Sequence, residues 1–194
     1  MDLQKQRKSM TARLTDPAVN IVEKTGLKPN DLTFFGFILA LGGAVILAFN
    51  NLLAAAIIIL IAGVFDVLDG ALARRIGNVT RSGAFLDSSL DRLSEGAIMV
   101  GAITYFLTEG MPLGVVVTAI ALLLSQVVSY LRVRAETQGI VKVVGVFTRP
   151  ERIVVLVLGL LINQLLIAMV IIALFSAVSV VQRMLLVMKD LKGK

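Results

Sequence analysis

From Ile153 to Val181 the chain carries no charged residue over 29 consecutive positions. As one helix that stretch would be about 43 Å long. A bilayer core is only about 30 Å thick, so a single span would need strong tilt. Asn163-Gln164 sits inside the stretch and suits a tight turn. Two spans are therefore expected, at about 148–163 and 165–188. The same reading upstream gives spans at about 32–50, 52–75, 83–107 and 111–132. The expected fold is all-α and integral to a membrane, a single domain over residues 1–194 with six transmembrane helices. Composition agrees: 57% of residues are hydrophobic, 16% are charged, and mean hydropathy is +0.91.

Residues 1–31 read as a cytoplasmic and interfacial segment. Within it, residues 2–24 are polar with Met10, Leu14, Val19, Ile21 and Val22 interspersed, the pattern of an interfacial amphipathic helix pair. No apolar run or cleavage site follows MDLQKQRKSM, so no cleaved signal peptide is expected. With six spans, all 19 Lys and Arg fall on one side of the membrane. The opposite connections, at Asn50-Asn51, Thr108–Gly110 and Asn163-Gln164, carry no basic residue and one acid, Glu109. The positive-inside rule then puts both termini in the cytoplasm. It also makes the net charge of +6 a set of membrane anchors. No interleaved basic and aromatic pattern is present, so nucleic acid is not an expected partner.

The chain has no histidine and no cysteine. Any acid–base or metal chemistry must run on carboxylates. Four aspartates, Asp66, Asp69, Asp87 and Asp91, lie within FDVLDGALARRIGNVTRSGAFLDSSLDR at the ends of two apolar segments. A charge at membrane depth costs at least about 2.5–3.5 kcal/mol, so such residues are rarely idle. The first pair is spaced i,i+3 and the second i,i+4, which puts each pair on one helix face. Gly77, Asn78, Ser82 and Gly83 between them let the helices return antiparallel. Four close carboxylates must protonate or bind cations. Oxygen-only ligands favour Mg²⁺ or Mn²⁺, and a pair of such ions suits a pyrophosphate. Gly70, Ala71 and Ala73 leave room for a close approach, and Arg74 can neutralise phosphate charge. Ordinary pairing with Arg74, Arg75, Arg81 and Arg92 would explain one acid, but poorly explains four at these spacings.

The pattern Asp66-x-x-Asp69-Gly70-x-x-Ala73-Arg74, eight residues, Gly83-x-x-x-Asp87-x-x-x-Asp91 resembles the CDP-alcohol phosphotransferase signature at every fixed position. The resemblance implies a homodimeric enzyme with six membrane helices. It implies metal ligation by Asp66, Asp69 and Asp87. Asp91 would complete the metal site and deprotonate the acceptor hydroxyl. The CDP-lipid, CDP-diacylglycerol or CDP-archaeol, would meet Gly70, Arg74 and Thr80, together with Pro29, Asn30, Asp31 and Leu32.

A second polar constellation comprises Ser129-Tyr130-Leu131-Arg132-Val133-Arg134-Ala135-Glu136, then Thr148-Arg149-Pro150-Glu151-Arg152, then Arg183. Membrane anchoring accounts for Arg132, Arg134 and Arg149. Arg183 interrupts a long apolar helix and asks for another reason. The pattern is similar to the branch making phosphatidylinositol phosphate or its archaeal ether-lipid counterpart. That similarity implies inositol 1-phosphate as acceptor, its phosphate held by Ser129, Arg132, Arg152 and Arg183. Three guanidinium groups left unpaired in one cytoplasmic cavity would repel, and a phosphate dianion would relieve them by charge-assisted bonds of roughly 1.5–3 kcal/mol each. Glu95, one turn beyond Asp91, is given no role. Glycerol 3-phosphate is the rival acceptor. A cation channel or transporter with a carboxylate site is the alternative from another class, but the chain lacks the repeat symmetry and midplane breaks such proteins show.

Overall fold

The computed structural model describes residues 17–77, 79–140, 145 and 147–192. Among these lie seven helices: α1 over 17–24, α2 Pro29–Ala48, α3 Leu52–Arg75, α4 Arg81–Thr108, α5 Pro112–Thr137, α6 Arg149–Leu161 and α7 Leu165–Lys192. Of the expected amphipathic pair over residues 2–24, only α1 falls within the described residues. α5 runs five residues past its expected end at 132, because nothing in Val133–Thr137 breaks a helix.

The turns explain the alternating course of the chain. Asn50 and Asn163 take left-handed backbone (φ 62° and 57°), as does Gly110 (φ 66°). Asparagine and glycine accept that conformation more readily than other residues. The Asn51 side chain accepts from the backbone of Ala54 and caps α3. Asn50 Nδ2 donates to Glu109 Oε1 at 2.7 Å, tying the α2–α3 turn to the α4–α5 turn. At the other end Thr80 caps α4 through Gly83 N (3.0 Å). Thr148 and Glu151 form a reciprocal cap on α6, with Thr148 N donating to Glu151 Oε2 at 2.9 Å.

Helices α2 to α7 close into a ring. Following contacts, the order is α2, α3, α6, α7, α5, α4 and back to α2. One apolar core joins all six through residues such as Leu47, Ile59, Phe106, Leu156 and Met169. A smaller cluster of Val19, Leu32, Leu68 and Leu72 fastens α1 beside α2 and α3. The outward faces are apolar too: Phe49, Phe85, Leu107 and Leu113 are each well over half exposed. A helix that is apolar all round belongs in lipid or a deep core.

By length and composition four helices can cross a membrane: α2, α3, α5 and α7. α4 carries Asp87, Asp91 and Arg92 in its first half and Glu95 at its middle, and α6 has only 13 residues. Neither qualifies alone, so the expectation of six spans is met outright by four helices.

In lipid there is little hydrophobic drive between helices, so small residues set close packing. A Cβ on Gly101 of α4 would lie 2.4 Å from the Ala44 carbonyl oxygen of α2. Backbone cannot swing aside as a side chain can. Gly101→Ala should therefore lower the detergent-solubilised protein's stability by about 1–3 kcal/mol. Gly96→Ala, on the same helix with nothing within 4 Å, should not. Equal thermal midpoints for both variants would show that α2 and α4 do not meet this closely.

Candidate active site

The acids come from the C-terminal half of α3 and the N-terminal half of α4. Carboxylate oxygens of Asp66, Asp69 and Asp87 lie within 4.8 Å of one another. Asp69 is buried and the other two are half-buried. Thr33 of α2 donates from Oγ1 to Asp69 Oδ2 at 2.6 Å. The donor set fits a divalent cation. It is all oxygen and all anionic, with one ligand already oriented by a hydroxyl.

Asp91 stands outside that trio. Its Oδ1 is 2.6 Å from Arg149 Nη1, and the same nitrogen is 2.6 Å from Asp66 Oδ2. Arg149, read from sequence as an anchor, thus bridges the two aspartate pairs. Thr33 and Arg149 both escaped the sequence reading as site residues. Arg149 carried a signal, since it opens α6 beside Pro150 and a capping Glu151 that fix its position.

Two polar cavities meet at Asp87, which lines both. The first, about 420 Å³, is walled by Pro29, Asn30, Gly70, Arg74 and Thr80, all expected at the CDP-lipid. Its glycines keep it open. A Cβ on Gly70 would press on the Arg74 guanidinium at 3.2 Å, and one on Gly83 would sit 2.9 Å from Thr80 Oγ1. Asp31 and Leu32 are not brought to this cavity. The Asp31 carboxylate accepts from Lys28 N at 2.9 Å and caps α2. Leu32 is turned into the small core against Val19 and Leu68.

The second cavity, about 510 Å³, is walled by Asp87, Asp91, Arg149, Ser129, Arg132, Arg152 and Arg183. All four residues expected at the acceptor phosphate are present. The expectation that its arginines stand unpaired does not hold. Arg132 Nε pairs with Glu136 at 3.0 Å, one turn along α5. Arg152 lies against Glu95, with Nε to Oε1 at 2.6 Å and Nη2 to Oε2 at 3.0 Å, and both residues are buried. Arg183 Nη1 donates to the Val128 carbonyl at 2.6 Å. The reason is the cost of a buried unpaired charge, which each helix end meets with a local acceptor. Unpartnered buried donors nonetheless remain at Arg152 Nη1 and Arg183 Nε. Glu95 was legible only as a charge inside an apolar segment. A third, apolar cavity of about 350 Å³ runs between α2, α3 and α6 and reaches Asp66 and Asp91.

An acid trio facing two polar cavities and one apolar one, on membrane helices, suits a metal-dependent enzyme acting on a lipid. Residues 27–187 match the family model for CDP-alcohol phosphatidyltransferase. The chain belongs to that family and is a metal-dependent transferase. It is 35% identical over 193 residues to the archaetidylinositol phosphate synthase of Methanothermobacter thermautotrophicus, covering 96% of this chain and 95% of that one. It is 38% identical over 151 residues to the phosphatidylinositol phosphate synthase of Mycobacterium marinum, covering 76% of this chain and 64% of that longer one. The crystal structure of the Mycobacterium tuberculosis phosphatidylinositol phosphate synthase with CDP-DAG bound superposes with a TM-score of 0.80 at 34% identity, covering 90% and 94% of the two chains. The same synthase in complex with manganese and citrate gives 0.79, covering 89% of this chain and 88% of that one.

Thr33 orients Asp69 within the trio. Thr33→Val, which removes the donor and keeps the shape, should raise the Mn²⁺ concentration for half-maximal activity by about 10–100-fold. Thr33→Ser should restore it, and Asp69→Asn should be inactive at every Mn²⁺ concentration. Identical metal titrations of Thr33→Val and the parent protein would remove Thr33 from the site.

Proposed function

We propose that this chain transfers the phosphatidyl or archaetidyl group of a CDP-lipid to inositol 1-phosphate and releases CMP. The observation that carries this reading is the meeting of two polar cavities at Asp87. One is walled by glycines and Arg74, the other by Ser129 and three arginines. The names of the two relatives favour the same acceptor.

In this reading the nucleotide and pyrophosphate occupy the first cavity, and the tails follow the apolar one. Asn30, Thr80 and the bare backbone at Gly70 and Gly83 admit the nucleotide closely. Arg74 bears on its phosphates. Asp66, Asp69 and Asp87 would hold Mg²⁺ or Mn²⁺, one ion or two, with Asp91 completing the site. The metal supplies positive charge against the pyrophosphate and the leaving CMP. Inositol 1-phosphate lies in the second cavity with its phosphate on Ser129, Arg132, Arg152 and Arg183. Its hydroxyl oxygen forms a bond to the lipid-bearing phosphorus. The bond from that phosphorus to the CMP oxygen breaks, and Asp91 takes the hydroxyl proton.

Residues Leu93–Thr108 of α4 and the whole of α6 would complete the membrane domain, giving six spans in a homodimer. Both termini and the aspartates would then face the cytoplasm. Single cysteines introduced at Asn51, Glu109 and Gln164 should label only from the opposite side. Labelling of any of them from the cytoplasm would refute the six-span arrangement.

The acceptor is tested with labelled CDP-diacylglycerol and CDP-archaeol against inositol 1-phosphate, free inositol, glycerol 3-phosphate and serine. Inositol 1-phosphate should be converted and free inositol should not. Arg183→Ala should raise KM for the acceptor about tenfold or more, the loss of one charge-assisted bond, with the KM for CDP-lipid nearly unchanged. Preference for glycerol 3-phosphate would keep the phosphate site and change the acceptor. Equal use of free inositol or serine would reduce the arginines to anchors.

A further inference from the structure

Glu95 is the one acid of α4's apolar half, and no part of the reaction above uses it. It is 3% exposed, and Arg152 of α6 is 2% exposed. A guanidinium offers five N–H donors in a rigid plane. Glu95 takes two of them, from Nε and Nη2, along one edge of that plane. Nη1 is left buried with no partner, and both residues line the second polar cavity.

Two fixed hydrogen bonds on one edge determine the tilt and rotation of the whole plane. Without them Arg152 has a long flexible stem and several ways to point. The pair also leaves this arginine with no net charge to contribute at a distance. What remains is direction, a pair of hydrogens on Nη1 held in place before any ligand arrives. Preorganised donors bind an oxyanion without the cost of ordering them first.

We propose that Glu95 is a positioning residue for acceptor recognition, clamping Arg152 so that Nη1 is held for the acceptor's phosphate. This rests on the acceptor-phosphate reading given above. It predicts that Glu95 acts only through Arg152 and only on the acceptor. Arg183, whose Nε is likewise buried without a partner, would supply a second such donor from α7.

The test uses the purified full-length protein with Mn²⁺, measuring CMP release while inositol 1-phosphate and CDP-lipid are varied separately. Glu95→Gln keeps the shape and loses the charge. It should raise the acceptor KM about tenfold, the scale of a misplaced binding group, with kcat and the CDP-lipid KM within about twofold. Glu95→Asp keeps the charge for folding but draws the carboxylate back by one methylene, and its acceptor KM should rise by less. Adding Glu95→Gln to Arg152→Ala should change the acceptor KM no further. An unchanged acceptor KM in both Glu95 variants overturns the clamp. So does an equal loss for both substrates, or additivity with Arg152→Ala. If the parent protein takes glycerol 3-phosphate instead, the same split is read with that acceptor. If it takes only unphosphorylated alcohols, the reading beneath the clamp fails at the first measurement, before any variant is made.

Discussion

Carboxylates held together in a membrane protein need cations, and this requirement organises the structure. Asp66, Asp69, Asp87 and Asp91 repel one another at short range in a poorly screened setting. Two helices answer that repulsion. α2 brings the Thr33 hydroxyl to Asp69, and α6 brings Arg149 between Asp66 and Asp91. α3 and α4 carry the acids themselves. The ring order explains how they reach one place. α2 lies between α3 and α4, while α6 returns to α3 only because α7 leads back toward α5 and α4. Packing by small residues at Gly36, Gly43 and Gly101 keeps α2 close enough to both acid-bearing helices. The apolar core is thus the means by which like charges are assembled.

On either side of the acids the chemistry of the walls differs. The first polar cavity is walled by missing side chains, with Gly70 and Gly83 giving backbone and space. The second is walled by long cationic ones. That division suits the two substrates proposed for them. A flat base and a pyrophosphate approach closely along a bare wall, whereas a small polar acceptor must be reached across a cavity. Asp87 belongs to both walls, so substrates on the two sides would share one set of charges.

Much of this was legible in the sequence. Helix ends were marked by Asn50, Asn163 and Gly110, whose left-handed backbone the turns require. The aspartates declared themselves as charges at regular helical spacing in apolar runs. Pairings across the ring were not legible. Arg149 and Arg152 are three residues apart in one segment, and sequence assigned the first to anchoring and the second to phosphate. In the fold Arg149 meets Asp66 and Asp91, while Arg152 meets Glu95, 57 positions away. Which arginine faces which acid depends on the rotation of α6 about its axis, and no local pattern encodes that. Asp31 and Leu32 stand apart from the first cavity for a related reason. They lie in the segment expected at the nucleotide, but one caps the helix and the other packs into the small core against Val19 and Leu68.

The brevity of α6 follows from the depth of the acids. Asp66 lies nine residues before the end of α3 at Arg75, and Asp91 ten residues after the start of α4 at Arg81. Both therefore sit about 14–15 Å inside their helix ends. From Leu52 to Asp66 is 14 residues of α3, about 21 Å of helix, and α6 with 13 residues is about 20 Å long. α6 therefore starts at the level where the acids lie and ends near the opposite turns. A full-length helix would overrun the site and carry its first-turn arginines past it. Among the described residues α5 ends at Thr137 and the next helix opens at Arg149, so the cationic first turn of α6 faces the acids. The same arrangement leaves the aspartates sunk below the helix ends. A lipid-linked pyrophosphate has its reacting phosphorus next to its apolar part, and that phosphorus lies deeper than the nucleotide attached to it. Acids at mid-helix, with an apolar cavity on one side and polar cavities on the others, match that polarity step.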